Sequence, residues 1–149
     1  MTMWKKKKPY RALREEEGEQ KALFDWVDTQ GAIKHLTFAT MNEVKVKPWE
    51  GLILKSLGKR KGVLDVYVDK PAHGFHGLRI ELKAKSRTTG RWGYPTPEQK
   101  AWVKCLNAEG YYAVCCRGAE DAIETIKNYL QGKYKHENKS SCTCACHSP

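Results

Sequence analysis

The sequence lacks any long hydrophobic run, and this absence sets the first limit on what the protein is. In this sequence of 149 residues, no apolar segment approaches the length of ~20 residues that is needed to span a bilayer. The lysines near the N-terminus are not followed by an apolar stretch, so no signal peptide is expected. We therefore expect no membrane partner and a cytoplasmic location, in a cell or a phage-infected bacterial host. The six cysteines are then expected to be reduced thiols.

Acidic side chains are in the minority. The chain has 17 Asp and Glu against 27 Lys and Arg, which gives a formal net charge of +10. Such an excess favours a polyanionic partner such as nucleic acid. The alternative interpretation is a basic surface that only keeps the protein soluble.

The hydrophobic pattern predicts one domain over residues 15–132, with an α/β fold. The predicted elements are a helix from Glu15 toward Gly31, a strand over 33–40, a short helix over 48–58, a β-hairpin over 62–84, a helix over 97–109, a strand over 111–116 and a last helix ended by Gly132. Trp102, Val103 and Leu106 are the predicted buried stripe of the 97–109 helix. This order predicts a small mixed β-sheet flanked by helices on both faces.

Two polar segments flank this domain. Residues 1–14 form a basic N-terminal arm that either binds phosphate or only aids solubility, and its cluster consists of Lys5, Lys6, Lys7 and Lys8. Residues 133–149 are predicted to be a disordered tail. The alternative for this tail is a zinc site formed by Cys142, Cys144, Cys146 and His147. These residues are closer together in sequence than the ligands of usual zinc knuckles, so a tetrahedral site built from all four would be strained.

Charged residues alternate with apolar ones on both strands of the predicted hairpin. Glu81 and Lys83 share one face of their strand because side chains repeat every two residues, and Asp65 lies on the corresponding face of the other strand. Pairing of the strands would bring two carboxylates together, and these repel each other unless a cation lies between them. Mg²⁺ binds one or two carboxylates with water and substrate phosphate. The alternative is a solvent-exposed ion pair, which contributes little.

Two further polar residues are candidates for this face of the sheet. Glu16 continues the apolar stripe of the first helix backward, although Glu15, Glu16 and Glu17 also suit a helix N-terminus electrostatically. Gln99 lies on the inward side of the 97–109 helix. It also occupies the third position of a capping box that begins at Thr96. Spacing does not separate these alternatives.

Several stretches together resemble the virus-type replication–repair nuclease (VRR-NUC) family, within the PD-(D/E)XK superfamily. They are "EEEGEQKALFDW", "GVLDVYV", "HGLRIELKAK" and "PTPEQKAWVKCLNAEGYYAVCC", and the resemblance covers about residues 15–131. It implies a restriction-endonuclease-like core with Asp65 and Glu81 as metal ligands, Lys83 as the catalytic lysine and Gln99 as the site glutamine. It further suggests Glu16 and the backbone carbonyl of Leu82 as metal ligands.

The resemblance implies a metal-dependent endonuclease that hydrolyses DNA phosphodiester bonds with Mg²⁺, for which Mn²⁺ would substitute. It suggests branched or structured DNA, such as four-way junctions or flaps, and a homodimer, because one site cuts one strand. The loop after the second hairpin strand is predicted to contact DNA through Lys85, Arg87, Arg91, Trp92 and Tyr94. The alternatives are an inactive nucleic-acid-binding module with a nuclease-like fold, and an enzyme that acts on RNA.

Overall fold

The computed structural model describes residues 15–40 and 46–133. Its elements are α1 (Glu15–Val27), a 3₁₀ turn (Lys34–Leu36), β1 (Thr37–Ala39), α2 (Pro48–Ser56), β2 (Val66–Val68), β3 (Leu78–Lys83), α3 (Pro97–Ala108), β4 (Tyr112–Arg117) and α4 (Gly118–Gln131). The predictions for the basic arm with Lys5 to Lys8, and for the cysteines and histidine of the tail, fall outside the described residues.

The four strands form one mixed sheet in the order β1-β2-β3-β4. β1 and β2 pair antiparallel, as do β2 and β3, whereas β3 and β4 run parallel. A parallel pair needs a crossover connection, and α3 supplies it here. The predicted α/β fold with a mixed sheet between helices is therefore confirmed.

The apolar face of β3 forms the centre of the core. Leu78, Ile80 and Leu82 alternate along the strand and pack in one cluster with residues of α1 and α4. Those helices contribute, among others, Leu23, Val27, Ala122, Ile126 and Tyr129. All six residues of β3 are buried, so the charged residues on its other face are also removed from water. Buried charge is costly unless it is paired, and this makes the second face of β3 the place to look for a site.

α3 covers part of that second face. The Asn107 side chain holds the β4 backbone, because its Nδ2 donates to the Ala113 carbonyl and its Oδ1 accepts from the Ala113 amide, both at 2.9 Å. The predicted degree of burial of this helix is wrong, since Trp102, Val103 and Leu106 are only partly buried. α3 lies over the β4 side of the sheet, and its Trp102 Nε1 donates to the Lys61 carbonyl at 2.9 Å.

Three predicted elements are shorter in the structure than in the sequence pattern. The strand expected over 33–40 begins as a 3₁₀ turn and is extended only at Thr37–Ala39. The strand expected from residue 62 starts only at Val66, and Gly62 itself lies in a turn with a left-handed φ of +77°. A Cβ at Gly62 would lie 2.6 Å from the Cβ of Glu98, so the turn packs directly against α3. α1 ends at Val27, before Gly31.

None of the helices in the described ranges is both long and apolar enough to cross a membrane. α2 starts at Pro48 as predicted, but no residue of this helix is buried. Its apolar side chains Trp49, Leu52 and Ile53 are exposed.

Candidate active site

The hairpin register brings the two predicted carboxylates face to face. Val66 pairs with Ile80, so Asp65, one residue before Val66, lies across from Glu81. The Leu82 amide donates to Asp65 Oδ2 at 2.8 Å, which fixes the orientation of that carboxylate. The contact involves the amide of Leu82, and the role of its carbonyl as a metal ligand stays a prediction.

Glu81 is the most enclosed charged side chain of the site. It is 1% exposed, and its Oε1 accepts hydrogen bonds from Lys83 Nζ at 2.8 Å and from Gln99 Nε2. Its Oε2 is buried and has no hydrogen-bond partner among the described residues. Burial, with the charge of Asp65 next in size, raises the pKa of Glu81 to about 7 against the opposing effect of Lys83. An anionic Glu81 thus leaves a buried oxygen available to a cation.

Lys83 is a buried cation rather than a neutral amine. Burial acts to lower its pKa, but the hydrogen bond to Glu81 and the charges of Glu81, Asp65 and Glu16 outweigh burial and raise the pKa. Its side chain is 10% exposed. The loop backbone lies against its stem, since a Cβ at Gly93 would be 3.4 Å from Lys83 Cδ. Lys83 is therefore suited to orienting a water or neutralising an anion, and poorly suited to removing a proton.

Gln99 fills both of the roles that its spacing left open. Its Oε1 accepts from the Thr96 amide at 2.8 Å, and its own amide donates to Thr96 Oγ1 at 3.2 Å, which completes the capping box. The other end of the same side-chain amide donates to Glu81. The two ends of one carboxamide can act independently, so the start of α3 is attached directly to the carboxylate pair.

Glu16 is the acidic residue of α1 whose charge reaches Lys83. It is exposed near the helix N-terminus. Two other glutamates of α1 have contacts elsewhere: Glu15 Oε1 accepts from the Arg87 amide at 3.5 Å, and Glu19 Oε2 accepts from the Ala119 amide at 2.7 Å. The charge of Glu16 thus contributes to the raised pKa of Lys83, and its role as a metal ligand stays a prediction.

Comparison with solved structures identifies a similar chain described as a "VRR_NUC domain protein". The two chains superpose with a TM-score of 0.67 and 26% sequence identity, over 82% of this chain and 92% of the other. The chain has the fold of a VRR-NUC domain. The resemblance to VRR-NUC domains seen in the sequence is confirmed, and this similarity supports a nuclease-family domain. No family model matches the chain, and no curated protein matches it.

The loop that follows β3 in this VRR-NUC fold is a small ordered hairpin. Lys85 and Trp92 form an isolated bridge, and the Gly93 amide donates to the Ala84 carbonyl at 3.0 Å. Of the residues predicted to contact DNA, Lys85, Arg87, Arg91 and Tyr94 are exposed, and their contact with DNA stays a prediction. Trp92 is half-buried, and its Cη2 would lie 3.2 Å from a Cβ at Gly118. Trp92 therefore anchors the loop to α4, and its DNA contact stays a prediction.

Sequence reasoning overlooked two residues of the site face. Arg79 shares the face of Glu81 and Lys83, and its buried guanidinium forms an ion pair with Asp69 at 2.8 Å. Cys115 lies on β4 directly beside Glu81 in the parallel register. Burial and then the charge of Glu81 raise the pKa of the Cys115 thiol. The alternation that identified Glu81 and Lys83 also includes Arg79, so that residue was predictable.

Gln99→Ala is expected to depress turnover at least about tenfold, because the amide that contacts Glu81 is lost. Thr96→Ala is the matched control, since it removes the cap hydroxyl and leaves the Gln99 amide in place. We expect it to cost about 0.5–2 kcal/mol of stability with little effect on turnover. Turnover is to be compared at a temperature well below both melting points. Equal turnover losses that follow the stability losses would restrict Gln99 to capping.

Proposed function

We propose that this VRR-NUC-like domain is a metal-dependent endonuclease that hydrolyses DNA phosphodiester bonds. The observation that carries the proposal is the convergence of Asp65, Glu81 and Lys83, with one buried Glu81 oxygen that has no hydrogen-bond partner among the described residues. A merely structural ion pair has no need of a second carboxylate beside it. Two carboxylates held together against their repulsion suit a divalent cation.

The residues present fit Mg²⁺, with Mn²⁺ as its substitute. No group of three or more His, Cys, Asp or Glu side chains in residues 15–40 and 46–133 is placed to hold a metal. A pair of carboxylates is nevertheless enough for Mg²⁺, because the ion usually takes one or two carboxylates, keeps several waters and takes further ligands from a substrate phosphate. Asp65 and Glu81 would hold the ion, and Glu16 and the Leu82 carbonyl are the further candidates. When bound, the ion supplies a water of lowered pKa and positive charge at the phosphate.

The protein side chains then have distinct tasks. Lys83, as a cation beside Glu81, orients the attacking water and offsets negative charge on the phosphate. Gln99 and Lys83 both donate to Glu81 Oε1, which leaves Oε2 as the oxygen to face the cation. The Leu82 amide fixes Asp65 in the same way. Each ligand is thus oriented by a neighbour, as metal-binding carboxylates generally are.

Nucleic acid is the substrate class that the charge of the chain favours, and we infer DNA from the resemblance to VRR-NUC nucleases. Lys85, Arg87 and Arg91 are exposed on the loop that leads directly out of β3, and the chain carries a net charge of +10. We infer branched or structured DNA, such as four-way junctions or flaps, as the preferred form. A homodimer would bring two sites to such a substrate, since one site cuts one strand.

The test is a panel of end-labelled substrates: a four-way junction, a flap, a blunt duplex, a single strand and an RNA duplex, each with Mg²⁺, Mn²⁺ or EDTA. The proposal predicts cutting of branched DNA with either metal and none in EDTA. Binding without cleavage under every condition would identify an inactive nucleic-acid-binding module. Cleavage restricted to RNA would overturn the DNA assignment.

The pH dependence of metal binding offers a second check. Without metal, the folded protein holds the Glu81 proton more tightly than the unfolded chain does. Protonation of Glu81 therefore stabilises the folded state. This stabilisation is complete below pH 4.5 and is lost as pH rises through about 7. Mg²⁺ binds only the carboxylate, so the rise in Tm caused by Mg²⁺ should be small at pH 5.5–6 and should grow as pH rises through about 7. In Glu81→Gln this growth should be absent. A pH-independent Mg²⁺ effect in the wild type would contradict the assignment of Glu81 as a ligand.

A further inference from the structure

A row of aromatic and cationic side chains crosses the sheet beside the candidate site. Phe38 pairs with Tyr67, and Tyr67 pairs with Arg79, so the three side chains share the face of Asp65 and Glu81. The ring centroids of Phe38 and Tyr67 are 5.4 Å apart at an angle of 52°. The Arg79 guanidinium carbon lies 4.2 Å from the Tyr67 ring centroid and 4.6 Å from that of Tyr111. We call this continuous row of tilted-ring and cation–π contacts, Phe38–Tyr67–Arg79–Tyr111, the stack.

The inner end of this stack is rigidly held. The Arg79 side chain is 9% exposed, pairs with Asp69 at 2.8 Å and donates to the Leu78 carbonyl at 3.1 Å. A guanidinium between two aromatic faces is a favourable cation–π arrangement. Tyr67 is therefore fixed from one side by Arg79 and contacts Phe38 at the other.

The outer end of the stack is not covered by any helix in residues 15–40 and 46–133. α3 covers the β4 side of this face, whereas β1 is an edge strand, and Phe38 on β1 is 45% exposed. An exposed phenyl ring supported by ordered neighbours loses little conformational freedom when a flat ligand stacks on it.

This open ring lies next to the proposed reaction centre. Phe38 is two residues from Thr40, and the Thr40 amide donates to the Asp65 carbonyl at 2.8 Å. Residues two apart on one strand face are about 7 Å apart. A group stacked on Phe38 is thus a neighbour of whatever Asp65 and Glu81 hold.

We propose that Phe38, backed by Tyr67, is a stacking platform for an unpaired base of the nucleic-acid substrate. The proposal rests on the proposed function in taking nucleic acid as the ligand, and it adds a preference for strands with an unpaired base near the scissile phosphate. The net charge of +10 and the exposed basic loop favour a nucleic acid over another protein as the occupant. Stacking accepts any base, because every base has a π-face.

The test uses full-length protein in EDTA, so that binding is measured without cleavage. Variants Phe38→Ala, Phe38→Leu and Phe38→Tyr are compared with Trp49→Ala, which removes another exposed aromatic from α2. The probes are a fluorescently labelled single strand, a blunt duplex, and a single strand containing 2-aminopurine, whose fluorescence falls on stacking. We expect Phe38→Ala and Phe38→Leu to weaken single-strand binding roughly tenfold and to abolish quenching. Phe38→Tyr and Trp49→Ala should match wild type, and duplex binding should be unchanged.

Three results would overturn the platform. If Phe38→Ala binds single strands with wild-type affinity and wild-type quenching, the Phe38 ring takes no part in binding. If Phe38→Leu binds single strands with wild-type affinity, the contact at this position is a nonspecific apolar contact and not aromatic stacking. A change of oligomeric state in Phe38→Ala by light scattering, with DNA binding intact, would make this surface a contact between copies of the chain. Because all of these arms omit metal, a failure to cut DNA would count against the proposed function and leave the platform standing.

Discussion

Lys83→Ala is expected to lower the single-turnover cleavage rate about 10²–10³-fold and to leave DNA affinity nearly unchanged. The reason is that Lys83 is buried beside Glu81, where it acts on charge that develops during the reaction and contributes little to ground-state binding. The rate and the affinity are to be measured on the same preparation, with affinity determined in EDTA.

Two controls separate this effect from loss of charge or of packing. Arg117 lies on β4 beside Lys83 but is exposed to solvent. Arg117→Ala therefore removes a nearby positive charge without disturbing a buried contact, and it should change the cleavage rate little. Lys83→Met keeps an apolar stem in the buried position and should be as inactive as Lys83→Ala. Removing Lys83 also raises the pKa of Glu81 further, so rates should be compared well above pH 7. Near-wild-type cleavage by Lys83→Met would exclude Lys83 from the reaction.

Glu81→Gln is expected to reduce cleavage at least as strongly, because it removes the charge of the proposed metal ligand. The substitution keeps the size of the side chain and leaves an oxygen that can accept from Gln99 or Lys83. It also relieves repulsion of Asp65, so the variant should be no less stable than wild type without metal at pH well above 7. Thermal unfolding with and without Mg²⁺ measures this directly. A Glu81→Gln protein that Mg²⁺ stabilises as much as wild type would place the metal elsewhere.

The sequence pattern predicted most of the fold because the apolar periods of its elements are clear. The alternation in "LRIELK" identified β3, and Gly132 ends α4 with the left-handed conformation that its type suggests. The pattern was less reliable for the burial of individual side chains, which depends on tertiary contacts. The partial burial of Trp102 depends on where α3 lies over the sheet, and helical spacing carries no information about that position.

The candidate site was predictable to a similar degree. Period-two alternation and a hairpin predicted Asp65, Glu81 and Lys83 on one side of the sheet, whereas the position of Asp65 directly across from Glu81 depends on the strand register. The sequence allowed both a capping and an inward-facing Gln99, but helical spacing could not separate the two; in the structure one carboxamide makes both contacts at once. The stack from Phe38 to Arg79 was also missed, since it depends on the register of three strands rather than on any one of them.

The most direct test of the central claim is a Mg²⁺ titration of single-turnover cleavage of one labelled four-way junction. The wild type, Asp65→Asn and Glu81→Gln would be measured in parallel. The account predicts that the wild-type rate is abolished by EDTA, rises with Mg²⁺ and saturates, while both variants cut at least about 10²-fold more slowly at every Mg²⁺ concentration. A wild-type rate that persists in EDTA, or variants that cut at the wild-type rate, would contradict it.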